Sequence, residues 1–183
     1  MPLTNEEHDR LLELYRERVA GYAGVDDDYP RRWREWCVRL LDLGGELVVP
    51  PGPPEADLDQ LIAAARPHGP AARQVPGEEN GCHANAAILW TDATVAAVGT
   101  GYALSADGLW RQHSWGVDAD GTVVETTFER QRYMGLTLTD IPALQFAASN
   151  AGRHVAAALR ARGPRARELA ALLHTARQAW REA

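Results

Sequence analysis

Apolar residues in the first third of the chain recur at intervals of three and four, which is the spacing of one face of an α-helix. The pattern predicts a helix from Thr4 or Asn5 to about residue 22, a second from Pro30 to the Gly44-Gly45 pair, and a short third over residues 55–65. A short strand at 46–49 separates the last two. We therefore expect N-terminal helices within residues 4–65.

Strand-like segments follow at residues 96–104, 109–117 and 122–128. The two connections, Ser105-Ala106-Asp107-Gly108 and Asp118-Ala119-Asp120-Gly121, have the pattern of a type I turn that ends in a left-handed glycine. Two such turns predict an antiparallel β-meander of at least three strands. With three-residue loops the register follows, and it places His113 opposite Gly101 and Glu125 on the same face, one diagonal step away.

The remaining segments complete a single α+β domain over residues 1–183. Residues 66–81, rich in Pro and Gly, are expected to form a loop beside a cleft, and 77–135 should hold one helix plus the meander. Tyr133-Met134-Gly135 is assigned to the rim of that cleft. Helices over 142–162 and 164–180 are expected to make a C-terminal helical cover within 140–183.

Composition narrows the function. A net charge of −6 disfavours a nucleic-acid partner, and the absence of lysine among 19 basic residues excludes a catalytic lysine or a Schiff base. We find neither a signal-peptide pattern nor an apolar run long enough for a membrane span, so we expect a cytoplasmic protein with no membrane partner.

Two cysteines are too few for a disulfide scaffold. Cys37 lies in an apolar helical stripe and is assigned to the core, whereas Cys82 is expected to be a free thiol.

Cys82 stands at the predicted start of a helix, in Gly81-Cys82-His83-Ala84-Asn85. The positive end of a helix dipole favours a thiolate there, and a strand histidine, His113, is placed to act as its base. Glu125 on the next strand is the candidate that orients the imidazole. A two-residue turn at Asp120-Gly121 would instead bring Thr126 beside His113, so the third member stays open between Glu125 and Thr126 or Thr127.

Further site residues are expected around this group. Asn80, Gly81, His83, Gln74 and Trp115 are the candidates for oxyanion or substrate binding, with Asn80 and Gln74 as possible oxyanion amides. Gly99 and Gly101 fall on the same face as His113, where we expect them to let the cysteine-bearing helix approach the sheet closely. No cofactor is required for such a site.

The order Cys82, His113, Glu125, with His113-Ser114-Trp115 followed by Asp120-Gly121 and Val123-Val124-Glu125, resembles the papain-like and transglutaminase-like cysteine hydrolases. The resemblance covers about residues 77–127. It implies a papain-like core and a cysteine hydrolase or acyl transferase that acts on an amide or thioester carbonyl of a peptide, a protein or a small substrate. Peptidases, amidases, deamidases and transglutaminase-like enzymes share this chemistry.

Two other readings of these residues remain. The chain could be a catalytically inactive member of the fold that binds a peptide or a protein. Alternatively, Cys82, His83, His113 and Glu125 could hold zinc, although adjacent ligands are unusual and no paired ligand motif supports a metal site. Alkylation of Cys82 and sensitivity to chelators would distinguish the three.

Overall fold

The computed structural model describes residues 3–161, and the predicted helix over 164–180 lies outside this range. The described chain has an α+β fold. Its helices are α1 (Asn5–Ala20), α2 (Tyr29–Leu41), α3 (Leu58–Ala64), α4 (Cys82–Thr91), α5 (Asp140–Asn150) and α6 (Gly152–Ala161). Its strands are β1 (Leu47–Val48), β2 (Arg66–His68), β3 (Arg73–Gln74), β4 (Ala97–Leu104), β5 (Leu109–Val117), β6 (Val123–Glu125) and β7 (Arg132–Leu138).

The N-terminal helices form where the sequence pattern places them. Thr4 and Glu7 make a reciprocal capping box at the start of α1, which supplies partners for amides that the helix itself leaves free. The apolar stripe of α2 packs on the sheet through Trp33 and Trp36, whose rings lie 6.1 and 5.8 Å from the ring of Tyr102. Cys37 is partly buried against this core.

The meander β4-β5-β6 has the predicted register. Gly101 lies opposite His113, and Val124 lies opposite Gly116. Both connecting glycines, Gly108 and Gly121, have positive φ values of 81° and 85°, a conformation that glycine adopts without steric cost. The turn sequences therefore correctly predicted which side chains of these strands lie on the same face.

The sheet is larger than predicted and is not purely antiparallel. Within residues 3–161 it has seven strands, in the order β2-β7-β4-β5-β6-β3, and β1 adds to β5. The β1–β5 and β3–β6 pairs are parallel. β2 and β3 lie in the segment we predicted as loop, and runs of two or three residues are too short to show a strand period.

The largest error concerns β7. We assigned Tyr133-Met134-Gly135 to the rim, but these residues form the middle of β7, between β2 and β4. All three are buried, because the strand is covered on both faces. A strand buried on both faces lacks the alternation of polar and apolar residues that would have identified it.

The sheet curls so that β2 and β3, the ends of the strand order, are joined by only four residues, 69–72. Its inner face is filled by a cluster around Trp115 and Tyr133, whose ring centroids lie 5.0 Å apart. A Cβ on Gly99 would lie 2.0 Å from the Trp115 indole, and a Cβ on Gly101 would lie 2.4 Å from a backbone oxygen of β7. The expectation that these glycines let the cysteine-bearing helix approach the sheet is therefore wrong. Gly99 makes room for the Trp115 side chain, and Gly101 lets β7 approach β4 closely.

The C-terminal helices differ from the prediction in one respect. The helix expected over 142–162 is divided into α5 and α6 at Ala151. Ala87 of α4 and Ala147 of α5 are buried in one cluster with Val155 and Leu159 of α6. Every helix in the described part of the chain is too short or too polar to cross a membrane.

Candidate functional site

The start of α4 is held by a braced loop. Gly81 is the N-cap residue, and Asn80 before it has a φ of 59°, a conformation that asparagine tolerates well. The side chain of Asn85, one turn into the helix, accepts from Glu78 N at 3.1 Å and donates to Glu78 O at 2.8 Å. Gly77 lies against the same amide, where a Cβ would come within 2.4 Å. The chain before Cys82 is thereby fixed.

Cys82 is the first residue of α4 and is partly exposed. Its sulfur interacts electrostatically with the backbone N–H groups of His83 and Ser114 and with the ring of His113. Burial raises the pKa of the thiol, but the imidazole and the two amides outweigh it, so the pKa lies below its usual value. These donors all stabilise the thiolate over the thiol.

The contact with Ser114 follows from an opening along β5. Ser105 N–H bonds to Leu109 O, and because hydrogen-bonded pairs alternate in an antiparallel ladder, the N–H of Ser114 points away from β4. On that side β1 pairs with the first two residues of β5 and β6 with the last two. The sulfur of Cys82 interacts with the Ser114 N–H at the gap between them.

His113 and Glu125 form a buried pair on the inner face. Nε2 of His113 lies 2.9 Å from Oε2 and 3.2 Å from Oε1 of Glu125, and the two residues are 3% and 1% exposed. The ring also interacts with Cys82, and Nδ1 is the nitrogen that Glu125 leaves free. Burial lowers the pKa of His113, yet its contacts with Cys82 and Glu125 dominate and raise it. The protonated ring is therefore stabilised by a thiolate on one side and by a carboxylate on the other.

The carboxylate of Glu125 has an unusually complete set of donors. Oε1 accepts from the N–H groups of Thr126 and Thr127, at 2.7 and 2.8 Å, and from the Thr127 hydroxyl at 3.0 Å. Oε2 accepts from the hydroxyl of Tyr133 at 2.7 Å. Although burial raises the pKa of this group, His113 and these donors lower it to about 2. Of the three candidates for third member, Glu125 is the one that touches His113, and the two threonines support it.

The remaining predicted residues have different positions. His83 is partly buried, with Nδ1 2.6 Å from Ser114 Oγ, which in turn donates to Thr100 Oγ1 at 3.0 Å. Gln74 donates its amide to the carbonyl of Thr127, so it braces the segment after Glu125 and is not an oxyanion donor at Cys82. Trp115 is completely buried, so it cannot contact a substrate. It stacks beside His113 at 6.4 Å with an interplanar angle of 21°.

Three residues of the site were not predicted. Ser114 acts through its backbone N–H, which no sequence motif reveals, and Tyr133 belongs to the strand that the sequence pattern did not show. The sequence alone does not decide whether Asn85 braces the loop or touches a substrate, and the structure gives it the bracing contacts. The sequence signal for Asn85 was its position one helical turn after Cys82, on the same face of the helix.

The zinc alternative is not supported by the geometry. Within residues 3–161, no group of three or more His, Cys, Asp or Glu residues converges to hold a metal ion.

Comparisons of the chain with protein-family models, with curated proteins and with solved structures found no match. The resemblance to papain-like and transglutaminase-like enzymes thus depends on the order and arrangement of Cys82, His113 and Glu125 alone, and it stays a prediction.

Proposed function

We propose that this protein is a cysteine hydrolase or acyl transferase with a papain-like core, and that it acts on an amide or thioester carbonyl. The observation that supports the proposal is the continuous contact from Cys82 through His113 to Glu125. It joins a thiol of lowered pKa to an imidazole of raised pKa, and the imidazole to a buried carboxylate. Opposite shifts in two neighbouring groups are typical of a nucleophile and its base.

The first half of the reaction forms a thioester. The Cys82 thiolate attacks the substrate carbonyl carbon, and the carbonyl oxygen becomes an oxyanion. Amides at the start of α4, which lack acceptors within the helix, stabilise that charge. The bond to the leaving amine or thiol then breaks, and the leaving group takes the proton from the His113 imidazolium while Cys82 keeps the acyl group.

The second half releases the acyl group. Water or an amine loses a proton to His113 as it attacks the thioester carbon, and Cys82 leaves as a thiolate. Glu125 keeps Nε2 of the ring engaged throughout, so that Nδ1 always faces the sulfur. Hydrolysis and transfer differ only in the acceptor, and the triad serves both.

The test uses p-nitrophenyl acetate as a minimal acyl donor. We expect a burst of p-nitrophenol, an acetyl group located on Cys82 by peptide mass spectrometry, and slow turnover. Cys82→Ala should abolish acylation and His113→Ala should reduce its rate at least about 100-fold. Cys37→Ala is the matched control and should behave as the wild type, because no histidine within residues 3–161 interacts with Cys37 and its pKa is raised to about 12.

Two results would contradict the proposal. One is acylation that persists in folded Cys82→Ala, and the other is a Cys82 that reacts no faster than Cys37 in the folded wild-type protein. The second result, with the fold intact, would favour the binding-module alternative.

A further inference from the structure

A cavity of about 520 Å³ lies on the other face of the sheet from His113, under the start of α3 and beside α5. It begins next to the proposed nucleophile, since His83, the residue after Cys82, lines it. Thr100, which also lines it, is linked to His83 through the hydroxyl of Ser114. The residue that follows Cys82 thus lines the cavity, and the Ser114 hydroxyl joins it to Thr100 on the sheet.

The cavity contains a buried carboxylate without a counter-ion. Glu55 is 8% exposed, and its Oε2 accepts from the Tyr102 hydroxyl and the Gln112 amide, each at 2.9 Å. Oε1 has one weak donor, Asp57 N at 3.4 Å, which leaves acceptor capacity unused. Within residues 3–161 no arginine or histidine forms an ion pair with Glu55. Burial raises the pKa of Glu55, because a buried carboxylate without a cation beside it is costly to ionise, and a bound cation would stabilise its charged form.

Among the residues that the structure describes, no arginine lines the cavity to supply that charge. The charged lining residues are Glu55 and Asp57, both acidic, and the pKa of His83 is lowered by burial and by the charge of His113, which keeps it neutral at pH 7. Leu136 and the ring of Phe146 give the lining an apolar surface. A cation carried on an alkyl chain fits both parts of this lining, because the chain can lie on the apolar surface.

We infer that this cavity is the substrate-binding subsite of the Cys82 centre and that it takes an alkyl cation, a guanidinium or an ammonium group on a short aliphatic chain. As a binding site the cavity is independent of the triad. As a substrate subsite it depends on the proposed function, in which the cationic chain belongs to the acyl donor or to the amine acceptor. Glu55 would pair with the cation and His83 would line its path to Cys82.

The first experiment measures binding alone, in the full chain carrying Cys82→Ala. Butylguanidinium, butylammonium and neutral butylurea share one alkyl length and are titrated by NMR. Both cations should bind, the urea should not, and the stronger of the two cations identifies the group. Glu55→Gln should weaken binding at least about tenfold, whereas Asp59→Asn, which changes an exposed acid of α3 outside the lining, should change it less than about threefold.

Glu55→Gln keeps the shape of the side chain, and its melting temperature shows whether the fold survives. A second variant, Gln60→Arg, changes an exposed lining residue and should repel both cations without disturbing the core. Equal binding of butylurea and the cations, or cation binding unchanged in both variants, would overturn the inference.

The second experiment tests adjacency to the sulfur. Iodoacetamides with a butyl, a 4-aminobutyl or a 4-guanidinobutyl substituent should alkylate wild-type Cys82 at different rates, with a cationic reagent at least about tenfold faster. That preference should disappear in Glu55→Gln and persist in Asp59→Asn. Fast alkylation by all three reagents without preference would contradict the proposed subsite but not the proposed triad. Cation binding with an unreactive Cys82 would defeat the triad and leave the cavity as a cation site.

Discussion

The hydroxyl of Tyr133 donates a hydrogen bond of 2.7 Å to Oε2 of Glu125, the same oxygen that lies 2.9 Å from Nε2 of His113. Tyr133 comes from β7 and Glu125 from β6, which are separated in the sheet by β4 and β5. The contact therefore crosses the inside of the curled sheet. It ties the strand that the sequence did not reveal to the carboxylate that orients the proposed base.

Removing this hydroxyl should cost stability. In Tyr133→Phe a buried carboxylate loses a donor, and hydrogen bonds to charged groups contribute about 1.5–3 kcal/mol to the free energy of unfolding. Tyr22→Phe is the matched control, because the Tyr22 hydroxyl donates to the uncharged carbonyl of Pro51 at 2.6 Å, and it should cost about 1 kcal/mol. Urea unfolding measures both. A loss in Tyr133→Phe no larger than in Tyr22→Phe would contradict the assignment.

The reactivity of the two cysteines should depend differently on pH. The pKa of Cys82 is below its ordinary value of 9.0, and that of Cys37 is raised to about 12 by burial. The rate of iodoacetamide labelling at Cys82 should therefore reach half its maximum below pH 9, whereas Cys37 should stay almost unlabelled up to that pH. In His113→Ala the midpoint for Cys82 should move to higher pH. A midpoint that does not move would show that the imidazole leaves the thiol unaffected.

The buried pair should make stability depend on pH in a defined window. Glu125 has a pKa lowered from 4.5 to about 2, so its contribution, on the order of 3 kcal/mol, is present above pH 4.5 and is lost as the pH falls towards 2. His113 has a raised pKa, so its contribution is complete below 6.5 and is lost as the pH rises through the folded-state value.

The difference in unfolding free energy between the wild type and Glu125→Gln should consequently be largest between about pH 4.5 and 6.5 and should shrink towards pH 2. Urea unfolding at pH 5.5 and 2.5 tests this. Glu129→Gln changes an exposed glutamate nearby in sequence and should show no such window. A difference between wild type and Glu125→Gln that is constant over this range would mean that Glu125 does not titrate as described.

Two glycines offer a matched test of the inner core. A Cβ on Gly99 would lie 2.0 Å from Nε1 of Trp115, whereas a Cβ on Gly69 would meet nothing within 4 Å. We expect Gly99→Ala to lower the melting temperature and the free energy of unfolding by about 1–3 kcal/mol, because Trp115 must move in a packed interior. Gly69→Ala should change stability by less than about 0.5 kcal/mol. Similar effects of the two substitutions would argue against the position of Trp115.

A displaced Trp115 has a second consequence that the same variant can report. The indole stacks beside the His113 ring, so its movement should loosen the ring that faces Cys82. Cys82 alkylation in Gly99→Ala should therefore slow relative to both wild type and Gly69→Ala under conditions where all three are folded. Unchanged alkylation in a destabilised Gly99→Ala would separate the packing role of Trp115 from the site.

Local chemistry made part of this protein predictable from its sequence. The turns at Gly108 and Gly121 fixed the hairpin register, and that register placed His113 and Glu125 on one face, because side chains in a strand alternate strictly between two faces. The helix that begins at Cys82 was also predicted correctly from the sequence, because a glycine precedes an apolar helical run.

Only the tertiary structure decided how these local pieces meet. The parallel pairs of β1 and β3, the central position of β7 and the curl that joins β2 to β3 depend on contacts between distant segments. The backbone N–H of Ser114 can interact with Cys82 because β5 has an open edge there, and within residues 3–161 Glu55 has hydroxyl and amide donors but no ion-pair partner. Such contacts leave no periodic signal in the sequence. Short strands and fully buried strands show no alternation of polar and apolar residues. A backbone amide is the same in every residue except proline, so the sequence does not show which amide serves the site.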